Sequence, residues 1–233
     1  YPLRRQRQMC IRDSPIFEAH SNHRYNTADY LRIDPLLGTE QDFITLCQRA
    51  HEHGIKIILD GVFNHTGSDS LYFNKEGRYG PGGAYRDPHS PYRSWYCWKD
   101  AAANMYESWW DFQSLPKLNS RDESWREFLC GENGIVRHWL RLGADGWRLD
   151  VVDEYPDELV RMIRQAARAE KPDALIIGEV WEDASCKEAY GEHRQYLMGH
   201  ELDSVMNYPL RQAILDFLLR GDGAAFRLRL WEL

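Results

Sequence analysis

The sequence lacks the features that mark several large functional classes. No stretch approaches the roughly eighteen consecutive apolar residues of a membrane-spanning helix. No Gly-x-Gly-x-x-Gly segment or phosphate-binding loop follows an apolar segment, which disfavours a dinucleotide-binding fold. The formal net charge of −7 disfavours a nucleic-acid surface. We therefore expect neither a membrane nor a nucleic acid as a partner.

Cysteines are few and scattered, and none has the spacing of a metal site. Their number is odd, so we expect free thiols in a reducing compartment. The first residues lack the apolar core of a signal peptide, and we expect a cytoplasmic protein. No Asp-x-Asp-x-Asp-Gly run of calcium ligands is present. The five cysteines are Cys10, Cys47, Cys97, Cys130 and Cys186.

What the sequence contains is a repeated order of helix, glycine and short apolar strand. Thr39 and Asp42 have the spacing of a helix N-terminal cap, and Gly54 ends that helix. Three of the predicted strands end at an acidic residue. This order is typical of parallel α/β folds, and we expect a partial (β/α)8 TIM barrel, from about strand 2 to helix 6. The predicted strands are 55–59, 144–150, 174–178 and 202–207; the predicted helices after the first are 124–142, 156–169 and one that starts at Pro209.

The points where this pattern begins and where it is interrupted predict the domain organisation. Residues 1–14 have no clear period, and we interpret them as an unrelated or disordered leader, with a basic arm as the alternative. Residues 15–233 form the predicted catalytic barrel, which opens with a strand end at 14–17 and a polar loop over 18–38. Within it, 66–120 is rich in Gly, Pro, Tyr, Trp and Ser, which predicts an insertion (B-type) subdomain after strand 3.

Two of the strand ends carry a pair of acids suited to glycoside chemistry. Arg148 and Asp150 lie on one face of a strand, where the arginine favours the charged form of a nucleophilic carboxylate. A structural ion pair is the alternative interpretation. Glu179 follows an apolar run, and partial desolvation would raise its pKa and keep a proton available. Neighbouring strands could place the two carboxyl groups about 5–5.5 Å apart, the retaining geometry.

Several short segments occur in a fixed order along residues 15–233. They are NHRYNTADY (22–30), DGVFNH (60–65), LPKLN (115–119), GWRLD (146–150), GEVW (178–181) and DSVMNY (203–208). Together they resemble the signature regions of the α-amylase family (glycoside hydrolase family 13). Their form is similar to that of neopullulanases, cyclomaltodextrinases and maltogenic amylases.

The resemblance implies catalytic roles for three residues. Asp150 matches the nucleophile, Glu179 the general acid/base, and Arg148 the arginine that orients and charges the nucleophile. The family's third carboxylate, in a His-Asp pair after the seventh strand, has no match here. We therefore expect the 233 residues alone to be poorly active.

The resemblance also implies substrate contacts. His65 matches a histidine that contacts the sugar in the −1 subsite, Tyr25 a tyrosine that stacks on that sugar, and Trp181 an acceptor-side aromatic. Core packing is the alternative for Tyr25 and Trp181. Asp60 and Asn64 match the first signature region, where we interpret them as structural.

The implied function is a retaining α-glucan hydrolase. Its substrates would be maltodextrins, cyclodextrins, starch or pullulan, cleaved at α-1,4 bonds, with α-1,6 cleavage and transglycosylation left open. The alternative is a non-catalytic glucan-binding or transporter-associated member of the same fold. No cofactor is required by this chemistry; calcium and a homodimeric parent are both left open by the resemblance.

Overall fold

A parallel β-sheet flanked by helices forms the centre of the computed structural model, which describes residues 10–12, 14–221 and 223–232. The strands are β1 (Cys10–Arg12), β2 (Phe17–Ala19), β3 (Thr27–Ile33), β4 (Lys56–Gly61), β5 (Trp98–Asp100), β6 (Met105–Tyr106), β7 (Gly146–Leu149), β8 (Leu175–Gly178), β9 (Glu188–Ala189), β10 (Glu192–His193) and β11 (Ser204–Val205). The helices are α1 (Glu40–Glu52), α2 (Glu123–Cys130), α3 (Ile135–Arg141), α4 (Asp157–Glu170), α5 (Tyr208–Arg220) and α6 (Gly223–Glu232).

The central sheet has the order β1-β4-β7-β8-β11, and every neighbouring pair is parallel. The carboxyl ends of these strands therefore meet at one edge. Asp60 is the second-to-last residue of β4, Asp150 directly follows β7, and Glu179 directly follows β8. The α/β class and the four strands predicted in the sequence are confirmed, and the sheet brings their acidic ends together.

The prediction of an unrelated leader over 1–14 is wrong for Cys10–Arg12. These residues pair in parallel with β4, Cys10 opposite Lys56 and Arg12 opposite Ile58. A strand of three residues is too short to produce a recognisable period, so only its partner reveals it. Residues 1–9 and 13 of the predicted leader lie outside the described residues.

The predicted polar loop over 18–38 is also wrong in part, because it contains the seven-residue strand β3. β3 pairs antiparallel with β2 in a separate two-stranded sheet, so Phe17 belongs to this hairpin rather than to the end of a barrel strand. The hairpin closes over the helices: the Trp139 indole N–H donates to the carbonyl of Tyr30 at 2.9 Å, and Phe17 packs on Trp139. The strand was not predicted because the segment 18–38 is rich in tyrosine, histidine and asparagine, which made it resemble a polar loop.

Caps and glycines account for the helix boundaries. The capping box of Thr39 and Asp42 is present at the start of α1, as predicted. The single helix predicted over 124–142 is instead two helices, α2 and α3, separated by a turn at residues 131–134. A Cβ at Gly134 would lie 2.8 Å from the carbonyl oxygen of Leu129, so the chain can fold back this tightly only at a glycine.

The segment between β4 and α2 has little regular structure apart from the β5–β6 hairpin and two short 3₁₀ turns. Aromatic side chains form its interior: Phe73 lies 4.6 Å from Tyr96 and 4.8 Å from Tyr106, measured between ring centroids. Isolated bridges join His65 to Lys117 and Ser108 to Pro116. These bridges return the segment to the carboxyl edge of the central sheet. Within the described ranges, no helix has the length and apolarity that a membrane crossing requires.

Candidate active site

Three carboxylates from three neighbouring strands converge on one buried guanidinium. Arg148 Nη1 lies 2.5 Å from Asp60 Oδ1 and 2.5 Å from Asp150 Oδ1, and its Nη2 lies 2.7 Å from Glu179 Oε2. The Arg148 side chain is only 2% exposed. Arg148 and Asp150 share a face because they stand two residues apart along β7, as the sequence predicts. The guanidinium thus brings the two candidate catalytic acids together.

Glu179 is held by two further groups. The backbone N–H of Val151 donates to Oε2 at 3.1 Å, and the Tyr208 hydroxyl donates to Oε1 at 2.9 Å. Val151 adopts φ 40° and ψ 57°, a left-handed conformation that is costly for a β-branched residue. Such strain is retained where the surrounding structure enforces it, and here it lies directly after Asp150.

The pKa order of the two acids in this structure is the reverse of the sequence-based prediction. Burial, with the negative charges of Asp60 and Glu179, outweighs Arg148 and raises the pKa of Asp150 to about 7. Burial also acts on Glu179, but Arg148, the Val151 N–H and the Tyr208 hydroxyl outweigh it and lower the pKa of Glu179 below its ordinary value. The prediction was wrong because it left out the burial of Asp150 and counted only one acid beside Arg148. Three acids share that single positive charge.

Asp60 and Tyr25 form the base of the site. Asp60 is fully buried and accepts a hydrogen bond from the Tyr25 hydroxyl at 3.0 Å. Burial, together with the adjacent Asp60, raises the pKa of Tyr25 to about 12, so the phenol stays protonated and can donate. Tyr25 is half-buried and also lines the open cleft. Asp60 therefore contributes charge to the site as well as structure.

His65 forms a neutral side wall. Burial lowers the pKa of His65 to about 4. Its Nε2–H donates to the carbonyl of Tyr25 at 3.1 Å, while the Asn64 amide donates to its Nδ1 at 3.1 Å. The Trp109 ring stacks on the imidazole with centroids 5.5 Å apart. Asn64 is buried beside the histidine and orients it through its hydrogen bond to Nδ1.

Trp181 lies at the open side of the cleft and is 41% exposed, so it is not a core residue. It meets Trp110 edge to face at 5.5 Å. Trp110 in turn stacks on Trp109, and its φ of 49° is left-handed. Aromatic side chains thus run from His65 to Trp181 along one margin of the site.

Together these residues enclose a cleft of about 500 Å³ at the carboxyl edge of the sheet. The cleft brings together five predicted residues, Tyr25, His65, Arg148, Asp150 and Glu179, and the predicted Trp181 at its mouth. The sequence analysis did not assign roles to others that line it, namely His23, Trp109, Leu115, Met206 and Tyr208. The DSVMNY segment carried the signal for the last two. Met206 Sδ accepts a hydrogen bond from Arg148 Nε at 3.4 Å.

A metal centre is not evident in the part of the chain that the structure describes. There, no three His, Cys, Asp or Glu side chains are grouped so that they could hold an ion. Arg148 contacts all three carboxylates of the site and balances part of their negative charge.

Comparison with known proteins identifies relatives of this arrangement. Residues 9–229 match the family model described as "Alpha amylase, catalytic domain". The chain is 44% identical over 225 residues to an amylopullulanase from Thermoanaerobacterium saccharolyticum, covering 88% of this chain and 17% of that protein. It is 37% identical over 215 residues to neopullulanase 2 from Thermoactinomyces vulgaris, covering 90% of this chain and 34% of that protein.

A solved structure also resembles the fold. The ligand-free cyclic α-maltosyl-(1→6)-maltose hydrolase from Arthrobacter globiformis superposes with a TM-score of 0.80 at 30% sequence identity. The match covers 95% of this chain and 48% of that one. The chain therefore spans less than half the length of each of these three relatives.

Proposed function

The chain belongs to the α-amylase family, and from this premise we propose that it carries the catalytic acids of a retaining α-glucan hydrolase. The substrates would be maltodextrins, cyclodextrins, starch or pullulan, cleaved at α-1,4 bonds, with α-1,6 cleavage as a second activity. The observation that carries the proposal is the shared contact of Arg148 with Asp150 and Glu179. A cleft with two acids and an aromatic margin suits a sugar chain, which needs a proton donor, a nucleophile and apolar surfaces.

In this proposal the five parallel strands correspond to strands 2 to 6 of an eight-stranded barrel. Residues 66–120 correspond to the insertion subdomain after strand 3. The common carboxyl edge supports this assignment, because barrel enzymes carry their reactive groups there. The proposal requires no cofactor, and it leaves calcium binding and a homodimeric parent open.

The proposed reaction starts with proton placement. In the free cleft the raised pKa of Asp150 and the lowered pKa of Glu179 leave the site's proton nearer Asp150. A bound glucan would displace water from Glu179 and raise its pKa. Arg148 would then stabilise the ionised Asp150, and the proton would pass to Glu179.

The chemical steps follow from that state. Asp150 attacks the anomeric carbon while Glu179 protonates the leaving glycosidic oxygen, which breaks the glycosidic bond and forms a glycosyl ester with Asp150. Glu179, now ionised, removes a proton from water, whose oxygen attacks the same carbon and releases Asp150. Two inversions at one carbon retain the α configuration.

The test compares Asp150→Asn and Glu179→Gln with wild type in the full-length protein, using maltotriose, γ-cyclodextrin and pullulan. We expect both variants to lose several orders of magnitude in rate, and nuclear magnetic resonance to detect α-anomers as the first products of wild type. Asp173→Asn, a change at an exposed acid that pairs with Lys56 away from the cleft, is the matched control. Glucan binding without turnover in wild type would favour the non-catalytic alternative.

A further inference from the structure

A second cleft adjoins the candidate active site on the side of Glu179. It has a volume of about 300 Å³ and shares Trp109, Val151, Glu179 and Trp181 with the first cleft, but it does not reach Asp150. Since Glu179 is the proposed proton donor to the leaving group, this cleft lies where the leaving portion of a glucan would sit. The β9–β10 hairpin forms part of its wall.

The hairpin is fixed to the segment that follows Asp150. Lys187 Nζ, just before β9, lies 3.1 Å from Asp153 Oδ2. Just after β10, the buried Arg194 donates to Asp157 at 2.6 Å and to the carbonyl oxygens of Asp153 at 2.9 Å and Tyr155 at 3.1 Å. Contacts at both ends therefore attach the hairpin to the segment that follows Asp150.

Tyr190 stands at the turn of this hairpin and is 71% exposed. Tyr190 and Gly191 have φ of 54° and 78°, the paired positive values of a tight hairpin turn, in which tyrosine is unusual. The ammonium of Lys117 lies 5.6 Å from the centroid of the Tyr190 ring, and a hydrogen bond joins the Tyr190 side chain to Glu154. Lys117 and Glu154 form an ion pair at 3.2 Å. A large exposed ring is thus held in one orientation.

Tyr190 also borders a third cavity, a groove of about 390 Å³ on the far side of the hairpin turn. Tyr190 and Glu154 are the residues common to both cavities. Polar side chains of the groove, including Asn119 and Arg121, could bind hydroxyl groups. A chain that leaves the second cleft in this direction must pass the Tyr190 ring.

We propose that Tyr190 is a binding platform for an additional glucose residue on the leaving-group side, and that it selects long α-glucans over short ones. The C–H face of a sugar carries partial positive charge and is attracted to the negative face of an aromatic ring. Because the ring is already held by Lys117 and Glu154, binding costs little side-chain ordering. This proposal rests on the proposed function and names its substrate class more closely.

The test measures kcat/KM for maltoheptaose and maltotriose in the full-length protein. We expect Tyr190→Ala to lower the maltoheptaose-to-maltotriose ratio about tenfold, equivalent to about 1.4 kcal/mol. Tyr190→Phe keeps the ring and should keep most of the ratio. The matched control is Met198→Ala. The Met198 side chain is 70% exposed, follows the same hairpin and lines neither the second cleft nor the groove. An unchanged ratio in Tyr190→Ala would overturn the proposal.

Binding to an inactive background separates the two proposals. Calorimetric titration of Glu179→Gln with maltoheptaose should give a weaker affinity when Tyr190→Ala is added, with a smaller change for maltotriose. If Glu179→Gln is fully active, the proposed function fails. If Glu179→Gln is inactive and Tyr190→Ala changes the affinity for both sugars equally, only the platform fails.

Discussion

Replacing Asp60 with asparagine should move the alkaline limit of the site's activity to lower pH. Asp60 and Asp150 both contact Arg148 Nη1 at 2.5 Å, and the negative charge of Asp60 is one cause of the raised pKa of Asp150. Asparagine has nearly the same shape: its Oδ1 can accept from Arg148, and its amide N–H can donate to the Tyr25 hydroxyl oxygen. The substitution therefore removes a charge and leaves the packing in place.

The size of the effect follows from the geometry. Two oxygens that each lie 2.5 Å from the same nitrogen are at most about 5 Å apart. With an effective dielectric constant of about 20, two unit charges at about 5 Å repel by about 3 kcal/mol, or about two pKa units. Removing this repulsion favours the ionised Asp150, so its pKa should fall from about 7 by about one to two units.

The assay is the pH dependence of kcat/KM on maltotriose, which reports the pKa values of the free enzyme. Asp150 has a higher pKa than Glu179 in the free site, so its titration sets the alkaline limb. We expect this alkaline limb to move down by about one to two pH units in Asp60→Asn. Asp145→Asn is the matched control, because Asp145 is a buried, ion-paired acid just before the start of β7, at the opposite end of that strand from Asp150. An alkaline limb that stays in place or moves up would refute the reasoning about shared charge.

Two further substitutions test the support of the site. Tyr208→Phe removes a hydrogen bond that favours the ionised Glu179, so the pKa of Glu179 should rise. Because Glu179 has a lower pKa than Asp150, the acidic limb of kcat/KM should move to higher pH, and an unmoved limb would contradict this. Gly146→Ala places a Cβ about 2.1 Å from the Leu175 carbonyl oxygen and should lower the free energy of unfolding in urea by about 2–3 kcal/mol. Gly82→Ala, with open space around its Cβ, is the control and should change it by less than about 0.5 kcal/mol, so equal losses would argue against the packing explanation.

Local patterns in the sequence predicted much of the scaffold. The capping box at Thr39, the apolar strand that ends at Asp60 and the strand that ends at Glu179 are all present where expected. Each depends on residues close together in the chain. The alternation of Arg148 and Asp150 also predicted their contact, because side chains two apart on a strand share a face.

Features that depend on distant partners were missed. β1 is defined by its pairing with β4, and its three residues carry no period of their own. The break between α2 and α3 reflects the close approach of Gly134 to Leu129 after the chain folds back. Tyr208, the first residue of α5, reaches Glu179 across a separation of 29 residues.

The sequence by itself determined the parallel α/β class, the order of the strand ends and the identity of the acids at those ends. Only the tertiary structure decided how the acids share charge. Periodicity and capping act over a few residues, whereas a pKa depends on every charge within a few ångströms, whatever its position in the chain. Asp60, Asp150 and Glu179 come from three strands and meet at Arg148 only after the sheet forms. The burial of Asp150 there, with the charge that the three acids share, reversed the pKa order predicted from their sequence neighbours.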